Sequence, residues 1–105
     1  MEALLAGAHG WISGFLNFLT SDCVSLYKAC LVGDVVKARE IWNFLQPFKH
    51  LYTHQLLGPV NDLAIYRAGL EIVGQVGGYS RLPFQSLTGS QCKILEDLMK
   101  KQGVI

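Results

Sequence analysis

The pair Trp11 and Ile12, fenced by Gly7, Gly10 and Gly14, constrains this chain more than any other feature. Two large apolar residues between glycines read as a short strand buried on both faces. A strand is not self-sufficient, because its N–H and C=O groups need partners once they leave water. Nearly all the remaining sequence has helical periodicity. The expectation is a helical chain carrying one strand whose neighbours it does not encode.

Composition points the same way. Half of the 105 residues are hydrophobic and 16% are charged, which excludes a disordered chain. That is apolar for so small a domain, and it predicts self-association or cover by a further segment. Nine basic and eight acidic residues give a formal charge of +1, with no basic stripe, so nucleic acid is not an expected partner. The longest basic run is Lys100 and Lys101, at a predicted helix end where cations meet the dipole favourably. Cys23, Cys30 and Cys92 include no CxxC pair and suit a reduced, cytoplasmic chain. Met1, Glu2 and Ala3 lack the basic n-region of a secretory signal. The apolar stretch 11–19 is too short to cross a bilayer, which takes about 20 residues. No face is both basic and opposite an apolar stripe, so no membrane partner is expected.

Residues 2–6 read as the end of a helix, with Gly7 at its stop and an apolar loop over 15–19 after the strand. Thr20 or Ser21 is the expected cap of the next helix, with Asp22 in its first turn. Cys23, Leu26, Tyr27, Cys30 and Leu31 form its buried stripe and Gly33 its C-terminal stop. The two cysteines, seven apart on one face, read as small core residues. Asp34 caps a longer helix with Ala38, Ile41, Trp42, Leu45 and Phe48 at helical spacing, and Pro47 predicts a kink or break in it. The short connection at Gly33 predicts an antiparallel helical hairpin over 21–48. A third helix is expected from Pro59 to Val73, closed by Gly74. Gly77 and Gly78 make a loop, residues 79–87 are extended before and after Pro83, and Thr88 caps a last helix that stops at Gly103.

The segments "GAHGWISGFLN", "GDVVKAREIWNFLQP", "AGLEIVG" and "SRLPFQSLTGSQ" occur in this order. Together they resemble the C-terminal part of the dihydrodipicolinate synthase and N-acetylneuraminate lyase family. Its members are Schiff-base class I aldolases built as (β/α)8 barrels with a C-terminal helical domain. The resemblance covers essentially the whole chain but only the last third of a family member. It implies a mainly α fragment: residues 1–32 would be the end of the TIM barrel, with the end of helix 7, strand 8 and helix 8. Residues 33–105 would be a C-terminal three-helix domain. The strand's partners would then lie before Met1.

The family holds pyruvate or another 2-oxo acid as an imine on a lysine, whose iminium acts as an electron sink. By the resemblance that lysine, and the tyrosine that shuttles protons, sit on earlier strands. Lys28, Lys37, Lys49, Lys93, Lys100 and Lys101 all fall on predicted helices, away from the strand ends where barrels do chemistry. No catalytic residue, cofactor or metal ligand is therefore assigned to this chain. Ile12 matches the strand-eight isoleucine that lines the family's pyruvate pocket, flanked by Gly10 and Ser13; these three are the substrate-binding positions the resemblance implies, and ordinary barrel core is the competing role. His50 and His54 share a helical face, yet no third metal ligand accompanies them. Gly74, Gly77 and Gly78 are turns rather than a dinucleotide fingerprint. Arg67 stands where many relatives have lysine and either holds a carboxylate or coats its helix. Trp42, Phe44 and Phe48 read as core or subunit interface.

Two functions are thus opposed. One is the C-terminal section of a pyruvate-dependent aldolase or lyase, performing carbon–carbon lyase or dehydratase chemistry only in the full-length enzyme. The other is a free-standing helical-bundle interaction protein with no activity, which would have to cover its apolar N-terminal stretch.

Overall fold

The structure, a computed structural model, describes residues 1–105. Five α-helices make up the chain: α1 (Glu2–Leu5), α2 (Thr20–Leu31), α3 (Val35–Thr53), α4 (Asp62–Ile72) and α5 (Gly89–Lys101), with a 3₁₀ turn at Gly14–Asn17 before α2. No strand is present. Two compact units divide at the middle of α3, Met1–Gln46 and Pro47–Ile105.

In the first unit, α2 packs on the 3₁₀ turn and on α1. Three of the five stripe residues read from the sequence are buried, Cys23, Leu26 and Cys30; Tyr27 is half-buried and Leu31 is 65% exposed, while Ala29 takes the remaining inward position, joined by Leu4, Phe18 and Leu19. Both cysteines are free thiols. Burial, helped by neighbouring Asp22, pushes the Cys23 thiol up to about 11, so it stays neutral and serves as packing. Gly33, at φ +73°, ends α2 in the left-handed conformation that glycine tolerates best.

Two local expectations fail here for a visible reason. Neither Thr20 nor Ser21 caps α2; its N-cap is Leu19, with no side-chain cap. The Thr20 hydroxyl donates back to the Leu16 carbonyl instead, because the helix runs directly out of the 3₁₀ turn and the hydroxyl finds that turn's free carbonyl first. The helical hairpin is also not the closest pairing: α2 packs more closely on the 3₁₀ turn and α1 than on α3.

Asp34 accepts a hydrogen bond from the Lys37 N–H at 3.1 Å, as a cap should. The helix it starts continues through Pro47 to Thr53 without a break. Proline inside a helix costs about 3 kcal/mol. Phe48, Leu51 and Leu45 are buried around it, and each such side chain returns about 1.5–3 kcal/mol. Burial on both sides of the proline thus outweighs its local penalty.

In the second unit α4 packs on α5, around Phe48, Leu51, Leu57, Ile65, Leu95 and Met99. Helix α4 starts at Asp62, three residues later than Pro59, because the Asn61 side chain accepts from the Leu63 N–H at 2.9 Å and caps it there. Helix α5 has the full capping box: Thr88 accepts from the Gln91 N–H, and the Gln91 side chain accepts from the Thr88 N–H. Gln91 also donates to the Leu57 carbonyl at 2.8 Å, which ties the start of α5 to the turn after α3.

Candidate functional site

The backbone from Gly10 to Ser13 is the segment to which the sequence assigned substrate contact. The expected strand does not form there. Gly10, Trp11 and Ile12 make no backbone hydrogen bond, and a strand exists only as a member of a ladder. Ser13 is nevertheless extended, at φ −150° and ψ 139°. Ile12 is 100% exposed.

The three residues do not converge on one cavity. Gly10 borders an apolar groove of about 250 Å³ with Trp11, Leu16, Cys23, Val24 and Tyr27. The Ser13 hydroxyl is turned to its own chain, where it accepts from the Phe15 N–H at 3.3 Å and caps the 3₁₀ turn. Ile12 stands in solvent. One longer bond steadies the segment: the Tyr27 hydroxyl donates to the His9 carbonyl at 3.1 Å. His9 itself is an exposed loop residue.

All six lysines lie on helices and are exposed. Schiff-base formation needs an unprotonated amine, which burial or a neighbouring cation supplies by lowering its pKa. Three of the amines sit beside carboxylates instead. Lys37 pairs with Glu40 at 3.8 Å, Lys93 with Asp97 at 3.1 Å and Lys100 with Glu96 at 2.6 Å. The hydrogen bond to Glu96 raises the Lys100 pKa further. The Tyr66 pKa is raised, through burial first and the nearby Asp62 carboxylate second, which favours the neutral phenol. His50 and His54 do come together at the end of α3, with ring centroids 4.2 Å apart, but no third metal-binding side chain joins them.

The best-built polar arrangement joins Arg67, which the sequence reading singled out, to Glu71, which it passed over. Arg67 and Glu71, one turn apart on α4, both reach the loop that follows it. The Arg67 guanidinium donates to the Ser80 hydroxyl at 2.9 Å and to the Gly77 carbonyl at 2.6 Å. The Glu71 carboxylate accepts from the Gly77 N–H at 2.8 Å and the Gly78 N–H at 3.2 Å. The pair therefore clasps donor and acceptor of the same peptide stretch. Arg67 thus does more than coat its helix. The i, i+4 spacing of Arg67 and Glu71 shortly before two glycines was the available signal. A groove of about 270 Å³ lies beside the clasp, bordered by Ala64, Ala68, Tyr79, Ser80 and Cys92.

Compared with known proteins, residues 1–102 match the sequence profile of the dihydrodipicolinate synthetase family. The 4-hydroxy-tetrahydrodipicolinate synthase of Fervidobacterium nodosum is 34% identical over 103 residues, covering 97% of this chain and 33% of the relative. The protein of the same description from Methanocaldococcus jannaschii is 32% identical, covering 100% of this chain and 35% of the relative. A crystal structure from Pseudomonas aeruginosa, described provisionally as a dihydrodipicolinate synthetase, matches with a TM-score of 0.79 at 33% identity. It covers 96% of this chain and 33% of that one. The chain spans about a third of the length of the curated relatives it matches.

Proposed function

Since this chain belongs to the dihydrodipicolinate synthetase family, we propose that it forms the carboxy-terminal third of a pyruvate-dependent Schiff-base aldolase or lyase. In this reading residues 1–32 complete a (β/α)8 barrel and residues 33–105 are the helical domain after it. Gly10 to Ser13 becomes the eighth strand once neighbours pair its backbone. The observation that carries the reading is Ile12, fully exposed on an extended segment with no backbone partner. A free-standing bundle would have covered that residue, since leaving it in water forgoes about 1.5–3 kcal/mol.

Within the completed barrel, Ile12 would line the pocket of the 2-oxo acid, with Gly10 and Ser13 shaping the backbone around it. These groups bind and exclude water. The imine-forming amine and the proton-shuttling hydroxyl would come from other strands, so the chain alone is not catalytic. A cytoplasmic setting suits its three free thiols. No helix is long and apolar enough to cross a membrane.

The test is imine trapping. The chain is incubated with pyruvate and borohydride and then weighed by mass spectrometry. No covalent adduct is expected on any lysine, because all six stand exposed on helices with no pocket to hold the oxo acid against them. A pyruvate adduct on any of them would overturn the reading. The uncovered apolar segment carries a second expectation: the isolated chain self-associates, and Ile12→Asp shifts it towards monomer in sedimentation velocity. A monodisperse wild-type monomer would count against an unpartnered strand.

A further inference from the structure

Between α4 and α5 the chain holds a loop whose side chains face the wrong way for an isolated protein. Val76, Tyr79 and Leu82 are 89%, 88% and 85% exposed, and Phe84 is 48% exposed. Single apolar residues on a surface need no explanation. Four large ones within nine residues do, because a loop free to move would fold some of them against its own helices. This loop is not free to move. Arg67 and Glu71 hold its backbone at Gly77 and Gly78 through three hydrogen bonds, and Arg67 adds a fourth to the Ser80 hydroxyl. Gly77 lies so close to α4 that a Cβ there would collide with the Arg67 carbonyl oxygen. Arg81 is the loop's one charged residue between Gln75 and Thr88, so little charge opposes burial of the outer face.

Resting on the reading above, we propose that residues 76–84 are a preformed docking strap for the remaining two thirds of the family fold. Arg67 and Glu71 are its positioning residues. The occupant follows from length and likeness. The chain matches the Pseudomonas aeruginosa structure over 96% of its own residues but only 33% of that protein. Two thirds of that fold thus lie outside these residues, and they are the polypeptide available to cover the strap. Fixing the strap beforehand removes the ordering entropy that docking would otherwise meet.

The experiment places the same variants in two settings. One is the 105-residue chain; the other is a chimera in which this chain replaces the matching third of the Fervidobacterium nodosum relative. Tyr79→Asp and Leu82→Asp are expected to leave the chain's own helix content and melting temperature unchanged, since both side chains already meet water. In the chimera each is expected to lower the melting temperature by several degrees. Amides 79–84 are expected to exchange with deuterium more slowly there than in the chain alone. A chimera that folds but tolerates both variants, with no added protection, overturns the strap and leaves the proposed function standing. Loss of the chain's self-association with the chimera unaffected assigns the strap to a second copy and also overturns it. A chimera that does not fold, while both parents do, counts against the proposed function itself.

Discussion

Phe48→Ala is expected to remove much of the stability of the second compact unit. Phe48 is fully buried, and truncating a buried phenylalanine costs about 3–5 kcal/mol. The unit comprises Pro47–Ile105, and a segment of that size has a stability of roughly 3–9 kcal/mol at the usual per-residue values. The loss is amplified locally. Helix α3 passes through Pro47 only because burial beside it outweighs the proline penalty, so removing the adjacent ring should let the helix end before Pro47. Circular dichroism and urea unfolding check both parts. The expected result is a lower helical signal and a much lower midpoint than wild type. An unfolding free energy within about 0.5 kcal/mol of wild type, the usual range for surface changes, would show that Phe48 does not hold the unit.

Gly77→Ala is expected to destabilise the same unit by about 1–3 kcal/mol, the range for forcing extra atoms into a packed site. The clash is with backbone, the Arg67 carbonyl oxygen, so no side chain can swing aside to relieve it. The loop must lift from α4, and the Arg67 and Glu71 hydrogen bonds to Gly77 and its neighbours must lengthen or break. Gly78→Ala is the informative companion. Gly78 has φ +66° but only ordinary contact in the direction of a Cβ, so its cost comes from backbone strain alone, of order 1–2 kcal/mol. Urea unfolding of the two variants separates the mechanisms: Arg67→Ala added to Gly77→Ala should cost little more, because the clasp is already open. Full additivity would mean that the clasp survives the alanine.

Helix stops were the most legible features of the sequence. Gly33, Gly74 and Gly103 each have positive φ immediately after a helix, and Thr88 makes the cap its hydroxyl suggested. Most of the buried face of α2 was readable from spacing, with Cys23 and Cys30 on it as packing, but Leu31 is exposed and Ala29 is buried in its stead. Errors came where two local preferences compete. Thr20 can cap forward or bond backward, and the 3₁₀ turn before it decides for the carbonyl of Leu16. Pro59 can start a helix, yet Asn61 caps better and starts it at Asp62. Pro47 can kink or break a helix, and the burial of Phe48 and Leu51 beside it accounts for the absence of a break.

The candidate site divides along the same line. The order of short motifs was enough to indicate the family, because each records a turn, a cap or a packed face that local chemistry dictates. It could not indicate that Ser13 would spend its hydroxyl on the Phe15 N–H, or that Arg67 and Glu71 would close on one loop. Helices were determined by the sequence alone, since their hydrogen bonds close within four residues and their ends depend on nearby caps. The unpaired state of Gly10 to Ile12, the exposure of Ile12 and the grip of α4 on Gly77 were decided only by tertiary structure. Each depends on atoms distant along the chain, or beyond it, and no local pattern encodes whether such partners are present.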